Sequence, residues 1–260
     1  MKIDVLSLKK EEIINQNRHQ FIYGIPKDQR QAFIEELERE NPVTANTYSP
    51  MAICLDEYGL ANNIPFYPYH DKLKLCNMSR KYLNLSIAYN IMSRVGTITE
   101  ELTKEDIDKF LSSIHSQCGI ASTSSIDELT TTFKLSRQSI ADHYCTYVSA
   151  RDEVVNSDMP DIDLSMYVPL VKRLLNNKAY FAILVNNNIN ISNLSKQAIN
   201  SIISTRSNSN LSMKVITDAS SWNTMQTLDD KQIEPNHDYS EVELDIKKRI
   251  YMIKHSKKRI

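Results

Sequence analysis

Glycine is scarce in this sequence, whose 260 residues include only Gly24, Gly59, Gly96 and Gly119. A backbone that wraps closely around a phosphate, or turns tightly with positive φ, needs glycine because a side chain would clash. A glycine-rich phosphate cradle is therefore not expected. Long apolar runs are missing too: no stretch approaches the length that crosses a bilayer, and the N-terminus, MKIDVLSLKKEEII, has no apolar signal core. These absences predict a cytoplasmic protein without a membrane partner.

The patterns of metal and nucleophile chemistry are absent as well. The cysteines form no C-x-x-C pair, which excludes a zinc knuckle or a redox couple. We interpret them as reduced core thiols: Cys54, Cys76, Cys118 and Cys145. The histidines show no H-E-x-x-H spacing, and no serine lies in a G-x-S-x-G elbow. The sequence therefore predicts no metal site and no catalytic residue.

The charges are nearly balanced, with 31 basic and 32 acidic residues and a formal net charge of -1. A surface built throughout to hold nucleic acid or anionic lipid would be strongly basic. Any contact with nucleic acid must therefore be local. One candidate is the basic C-terminal tail, 246–260, in which Lys247, Lys248 and Arg249 could bind a phosphate backbone through counterion release. A solvated chain end has the same composition.

The first quarter of the chain has the pattern of strand, loop, helix and strand. HQFIYGIP is an apolar run that ends in Gly-Ile-Pro, and apolar residues then recur at helical spacing at Phe33, Ile34 and Leu37. The run from Met51 to Leu55 is short and follows Pro50, which favours a buried strand. Such an order predicts a parallel βαβ unit.

Helical patterns dominate the middle of the chain. Apolar residues recur every three or four positions from Leu73 to Val95, which predicts a long amphipathic helix. Shorter helical pieces, TITEEL and TKEDIDKFLSSI, each open with a threonine suited to capping. We predict a helical insertion over 97–150. After the loop DMPDIDLSMYVP, the α/β pattern resumes with a helix near Leu170 to Asn176, then YFAILVNNN, NLSKQAINSIIST, LSMKVIT and a closing strand at VELDI.

A degenerate phosphate-binding motif lies between the first strand and its helix. A P-loop, G-x-x-x-x-G-K-[ST], supplies backbone amides to the phosphates, a lysine charge and a hydroxyl for Mg²⁺. Here Gly24 is followed by Gln29 in place of the second glycine, Arg30 in place of the lysine and Gln31 in place of the hydroxyl. The remnant nucleotide-binding residues on this side would be Gly24, Lys27, Arg30 and Gln31. An ordinary strand-to-helix turn is the alternative.

A second degenerate motif follows the apolar strand at Val185. The carboxylates expected at the end of an acidic metal-binding strand are replaced by the amides Asn186 and Asn187. An amide carries no formal charge, so it neither holds Mg²⁺ comparably nor acts as a general base. We predict a P-loop NTPase-like α/β fold over 1–260, a parallel sheet flanked by helices, without a bound cofactor. An ATPase that holds ATP and Mg²⁺ through Lys27 or Arg30 stays the alternative.

The last third of the chain carries an ordered series of features. They are the apolar strand before Asn186, a helix with Gln197, Ile199 and Asn200, then Arg206, a strand from Met213 to Thr217, Thr227-Leu228 and Asp238-Tyr239. This series resembles the end of the ATPase domain in bacterial AAA+ proteins of the origin-recognition-complex class, whose Gly-Lys-Thr and acidic Walker B pair are absent here.

The resemblance carries several implications for function. It implies that Arg206 senses a phosphate or a partner, although an arginine at a helix end also serves the helix dipole. It further implies assembly, as a homo-oligomer or with a separately encoded effector. Together with the degenerate motifs, it predicts a pseudo-ATPase binding or scaffolding subunit, in a mobile-element or antiviral defence setting.

One further segment suggests a different class of function. SIDELTTTFKLSRQSIADHYCTYV, residues 125–148, has the pattern of a helix-turn-helix with its turn at Phe133-Lys134-Leu135. Its second helix would present base-reading side chains at Arg137, Gln138 and Ser139. Three acidic side chains in the same segment oppose phosphate binding, and two packed helices would give the same pattern. A DNA-binding regulator is therefore a third hypothesis.

Overall fold

The computed structural model describes residues 5–55, 71–150, 161–187, 191–205 and 210–244. The helices are α1 (Val5–Asn15), α2 (Arg30–Glu40), α3 (Lys72–Gly96), α4 (Lys104–Cys118), α5 (Ile126–Ala150), α6 (Leu164–Leu174) and α7 (Asn193–Ser204). The strands are β1 (Gln20–Tyr23), β2 (Met51–Cys54), β3 (Phe181–Asn186), β4 (Leu211–Ile216) and β5 (Ser240–Glu243), and 3₁₀ turns lie at Lys27–Gln29 and Thr99–Glu101.

The five strands form one parallel sheet in the order β2-β3-β4-β1-β5. Every residue of β3 and β4 is buried, which explains why these two strands read as continuous apolar runs. The predicted fold class, a P-loop NTPase-like parallel sheet flanked by helices, is confirmed. In the predicted βαβ unit, β1 and β2 are parallel but not neighbours, because β3 and β4 lie between them.

Alternate side chains of the strands enter two separate cores. Phe21, Ile183 and Val215 belong to the larger core, which also contains the buried hydrophobic residues described in α3 to α7. Ile22 and Leu184 lie in the smaller core under α1 and α2. The period-2 alternation of a strand and the helices on both sides therefore bury the central strands completely.

The helix starts in the middle of the chain are set mostly by local caps. Thr103 accepts a hydrogen bond from the Asp106 amide at 3.1 Å, which confirms the predicted threonine cap of α4. The segment TITEEL instead forms a 3₁₀ turn without a side-chain cap. Helix α6 begins at Leu164, six residues earlier than predicted, because Asp163 caps it and Pro169 is accommodated inside the helix. Strand β5 likewise begins at Ser240, two residues earlier than predicted.

The predicted helix-turn-helix at 125–148 is wrong, because α5 runs without interruption from Ile126 to Ala150. Phe133, placed in the predicted turn, is fully buried and packs edge-on against Tyr167 with ring centroids 5.6 Å apart. The segment contains neither glycine nor proline, so nothing in it breaks the helix. Burial of Ile126, Leu129, Phe133 and Ile140 along one face then favours the continuous helix.

Two buried side chains, Lys214 and Tyr180, connect the C-terminal end of α1 to the sheet. Lys214 of β4 donates from Nζ to the Gln16 carbonyl at 2.7 Å, to the Arg18 carbonyl at 2.8 Å and to Gln20 Oε1 at 2.8 Å. Tyr180 donates from its hydroxyl to the carbonyl of Ile14. A cation complements the free carbonyls at a helix C-terminus. Burial lowers the pKa of Lys214 to about 7, whereas the three acceptors match the three N–H groups of an ammonium.

His19, beside Lys214, predicts a pH dependence of stability. Its Nδ1 accepts a hydrogen bond from the Met213 amide at 2.9 Å. Burial, and then the charge of Lys214, lowers the pKa of His19 to about 4, against a smaller opposing effect of Asp238. The unfolded chain therefore binds a proton between pH 6.5 and 4 that the folded protein does not. The contribution of His19 to stability is fully present above pH 6.5, and we expect about 3 kcal/mol to be lost as the pH falls to 4.

Urea unfolding at several pH values between 7 and 4 measures this loss. The His19→Gln variant keeps a hydrogen-bond acceptor but cannot titrate, so its stability should fall less over the same window. His143→Gln, which changes an exposed histidine, is the matched control and should keep the wild-type slope. Equal slopes for the wild type and His19→Gln would contradict the assignment.

Candidate functional site

The loops that follow β1, β3 and β4 meet at the carboxyl edge of the sheet. Parallel strands direct their carboxyl ends to one edge, where ligands of open α/β sheets bind. The loop after β1 leads through the 3₁₀ turn Lys27–Gln29 into α2, β3 ends at Asn186, and β4 is followed by Thr217 and Asp218. Four of the residues predicted as nucleotide-binding remnants come together here: Arg30, Gln31, Asn186 and Asn187.

Arg30 is the centre of this site. It is the first residue of α2, and only 1% of the residue is exposed. Its Nε donates to the Ile25 carbonyl at 3.2 Å and its Nη1 to the Asn187 carbonyl at 3.4 Å. Its Nη2 lies 2.5 Å from Oδ1 of Asp218, a side chain that is 49% exposed. The guanidinium therefore faces acceptors that belong to the protein itself.

The two asparagines at the end of β3 bind neighbouring polar side chains. Asn186 donates from Nδ2 to Oε1 of Gln31 at 2.9 Å, and Asn187 donates from Nδ2 to Oγ1 of Thr217 at 2.7 Å. Asn186 and Asn187 are buried, whereas Gln31 is exposed. The motif would have a metal-binding hydroxyl at position 31 and carboxylates at positions 186 and 187. Hydrogen bonds between uncharged polar side chains lie at these positions instead.

Gly24 and Lys27 are the other two predicted remnants. Gly24 has φ +84°, and a Cβ built on it would lie 2.2 Å from the Leu244 carbonyl oxygen. The glycine therefore permits close approach of the β1 loop to the end of β5, where the Leu244 amide donates to the Tyr23 carbonyl at 2.8 Å. Lys27 is exposed in the 3₁₀ turn.

Sequence reasoning missed Asp218, the carboxylate that pairs with Arg30. It follows β4 after Thr217, in the run Lys-Val-Ile-Thr-Asp, so it lies just beyond the end of a buried strand. A polar residue at this position, after a buried strand, was the signal that could have identified Asp218 from the sequence. The two residues are 188 positions apart, however, and only the strand order β4-β1 brings them into contact.

The loop that begins at Asp218 is held by α7. Asn200 is fully buried and donates from Nδ2 to the carbonyls of Thr224 at 3.1 Å and Gln226 at 2.9 Å, while its Oδ1 accepts from Trp222 Nε1 at 3.2 Å. Lys196 of the same helix donates to the Ser221 carbonyl at 2.8 Å. The polar face of α7 therefore fixes the loop that presents Asp218 to Arg30.

The three residues of α5 that were predicted to contact DNA have partners within the protein. Arg137 is buried, and its guanidinium lies 4.6 Å from the centroid of the Tyr89 ring on α3, a cation–π contact. Gln138 donates to Asp142 at 2.9 Å, and Ser139 lies beside His143 on the same helix. Arg206 and the tail residues Lys247, Lys248 and Arg249 lie outside the described residues. Within the described residues, no group of three or more His, Cys, Asp or Glu is placed to hold a metal ion.

Comparison with known proteins identifies the family. The ORC-CDC6-like family model matches residues 71–257, a range that includes Asn186, Asn187, Asn200 and Asp218 and begins after Arg30. Comparison with curated proteins and with solved structures finds no match. None of the described helices is long and apolar enough to cross a membrane. The family match covers more than half of the sequence and agrees with the resemblance to origin-recognition-class AAA+ proteins; the chain belongs to the ORC-CDC6-like family.

Proposed function

We propose that this chain is a pseudo-ATPase, an AAA+-like subunit that binds or scaffolds partners without turning over ATP. The surroundings of Arg30 are the observation that supports this most strongly. A P-loop presents N–H donors to phosphates, whereas two backbone carbonyls and a carboxylate surround this guanidinium. Oxygen acceptors repel a phosphate, and the cation that could attract one is already paired.

The magnesium side of the site supports the same proposal. Catalysis of phosphoryl transfer depends on Mg²⁺ held by a P-loop hydroxyl and an acidic residue. Gln31 and Asn186, at the corresponding places, are uncharged amides that bind each other at 2.9 Å. Neither supplies the negative charge that Mg²⁺ prefers, and neither can take a proton from an attacking water.

Titration calorimetry of the purified chain with ATP and ADP, each with and without Mg²⁺, tests the proposal. We expect no binding at millimolar nucleotide. Magnesium-dependent binding would contradict the proposal and favour the divergent ATPase. In that case Lys27→Ala should weaken binding, because Lys27 is the exposed lysine of the β1–α2 connection. Arg39→Ala, on the exposed side of α2, should leave it unchanged.

A subunit of this kind would act by assembling with other protein chains. AAA+ domains act by packing against neighbours, so we propose a homo-oligomer or a complex with a separately encoded effector. The mobile-element or antiviral defence setting rests on the family resemblance. Light scattering over a range of concentrations should give a mass that rises above that of the monomer. A monomer mass throughout, alone and with each partner tested, would contradict the assembly.

A further inference from the structure

We infer that Arg30 is a built-in cationic ligand that closes the remnant nucleotide site. The inference rests on the proposed function and adds the chemistry of the site: its groups form a receptor for a guanidinium, not for a phosphate. The receptor includes the Ile25 carbonyl, the Asn187 carbonyl and the Asp218 carboxylate. Each group follows the end of a different strand, so one side chain joins the loops after β1, β3 and β4.

The shape of the guanidinium suits this set of acceptors. Arginine presents five N–H donors in a planar fork. Here Nε and Nη1 each donate a hydrogen bond to a different backbone carbonyl, while Nη2 forms an ion pair with Asp218. A lysine ammonium at the same position would concentrate its donors on one atom and lack this fork. The replacement of the P-loop lysine by arginine at position 30 therefore changes the partner of this side chain from a ligand to the protein.

The two partners of the Arg30–Asp218 ion pair differ in burial, so losing one has a different consequence from losing the other. A buried cation needs a paired negative group, and removing one partner leaves the other uncompensated. Arg30 is 1% exposed, whereas the Asp218 side chain is 49% exposed. The loss of Asp218 would thus take this carboxylate from a buried guanidinium, while the loss of Arg30 would leave an opening lined by acceptors.

The cation that joins these loops is a side chain of the protein and not a bound ligand. In nucleotide-switched proteins, the γ-phosphate and its Mg²⁺ order the neighbouring loops and release them after hydrolysis. Here the cation that joins the loops cannot dissociate. The site should therefore hold one conformation whether or not ATP is present.

Chemical rescue of Arg30→Ala tests the receptor. We expect the thermal midpoint to fall by roughly 6–12 °C, followed by the fluorescence of Trp222, the single tryptophan. Methylguanidinium at about 50 mM should raise that midpoint by roughly 3–5 °C, as for a ligand bound tenfold below its concentration. Methylammonium, urea and inorganic phosphate should not. Arg39→Ala, which removes an exposed arginine of the same helix, and the wild type should gain nothing from methylguanidinium.

Asp218→Asn is a second variant that tests the same inference even if Arg30→Ala does not fold. This change removes a charge at a half-exposed position without opening a cavity, and we expect the thermal midpoint to fall by roughly 6–12 °C. A fall below about 2 °C, or equal responses of Arg30→Ala and wild type to methylguanidinium, would overturn the inference. Neither result depends on nucleotide. Binding of ATP by the wild type would instead overturn the proposed function.

Discussion

Asn200→Leu is expected to lower the free energy of unfolding by about 3–5 kcal/mol. Leucine has the same branching at Cγ but is larger, and it supplies neither donor nor acceptor. The Trp222 indole N–H, which is buried, would lose its acceptor, and the carbonyls of Thr224 and Gln226 would lose their donor. An unsatisfied buried polar group costs about 1–3 kcal/mol. The Trp222 indole is such a group, and the two carbonyl bonds, which are part-buried, add to the loss.

Urea unfolding followed by Trp222 fluorescence measures this loss, and the native emission should shift because the indole itself changes partner. Asn193→Leu makes the same substitution at an exposed position at the start of α7, so it is the matched control and should change stability by less than about 0.5 kcal/mol. Asn200→Asp keeps an acceptor for Trp222 but turns a carboxylate toward two carbonyls, so it should be at least as destabilising. Equal stabilities for the two leucine variants would show that Asn200 does not hold the loop.

The same side chain shows what a sequence can and cannot reveal about a site. Asn200 belonged to the series of residues that resembled the AAA+ family, so its position was noticed from sequence. Its partners could not be predicted, because they are two backbone carbonyls and one indole in an irregular loop 22 to 26 residues away. Periodicity reports which face of a helix is buried and gives no information about the loop that covers its polar positions.

The sheet was more predictable than the helices. Buried parallel strands such as Phe181–Asn186 are short, apolar and bounded by polar residues, so their existence follows from the sequence alone. A turn was predicted at Phe133 because the three threonines and the lysine beside it are typical of a connection. The prediction is wrong because Phe133 belongs to the buried face of a continuous helix. Tertiary burial overrides local propensity at such positions.

The candidate site was predictable in its location but not in its chemistry. The spacing from Gly24 to Arg30 and the end of the strand at Asn186 both indicated the carboxyl edge of the sheet. The pairing of Arg30 with Asp218 depends on the strand order, which places β4 between β1 and β3. From sequence, arginine at position 30 was interpreted as the replacement of a P-loop lysine and as a remnant nucleotide-binding residue. The structure shows a side chain with partners of its own.

Gly24→Ala is expected to destabilise the protein by about 3 kcal/mol or more. Alanine at φ +84° is strained by about 1 kcal/mol, and its Cβ would lie 2.2 Å from the Leu244 carbonyl oxygen and 2.8 Å from the carbonyl carbon. Because both atoms belong to the backbone, relief requires β5 to move away from β1 and weakens the bond from the Leu244 amide to the Tyr23 carbonyl.

Gly119→Ala separates the two contributions to this loss. Gly119 also has positive φ, +66°, but a Cβ built there meets no atom within 4 Å, so alanine should cost only about 1 kcal/mol. The difference between the two variants in urea unfolding therefore measures the contact with Leu244. Equal losses would mean that β5 moves aside at little cost. A glycine kept for phosphate binding would behave differently, since its replacement would spare stability and weaken nucleotide binding; a large loss of stability identifies Gly24 instead as the residue that lets β1 and β5 meet.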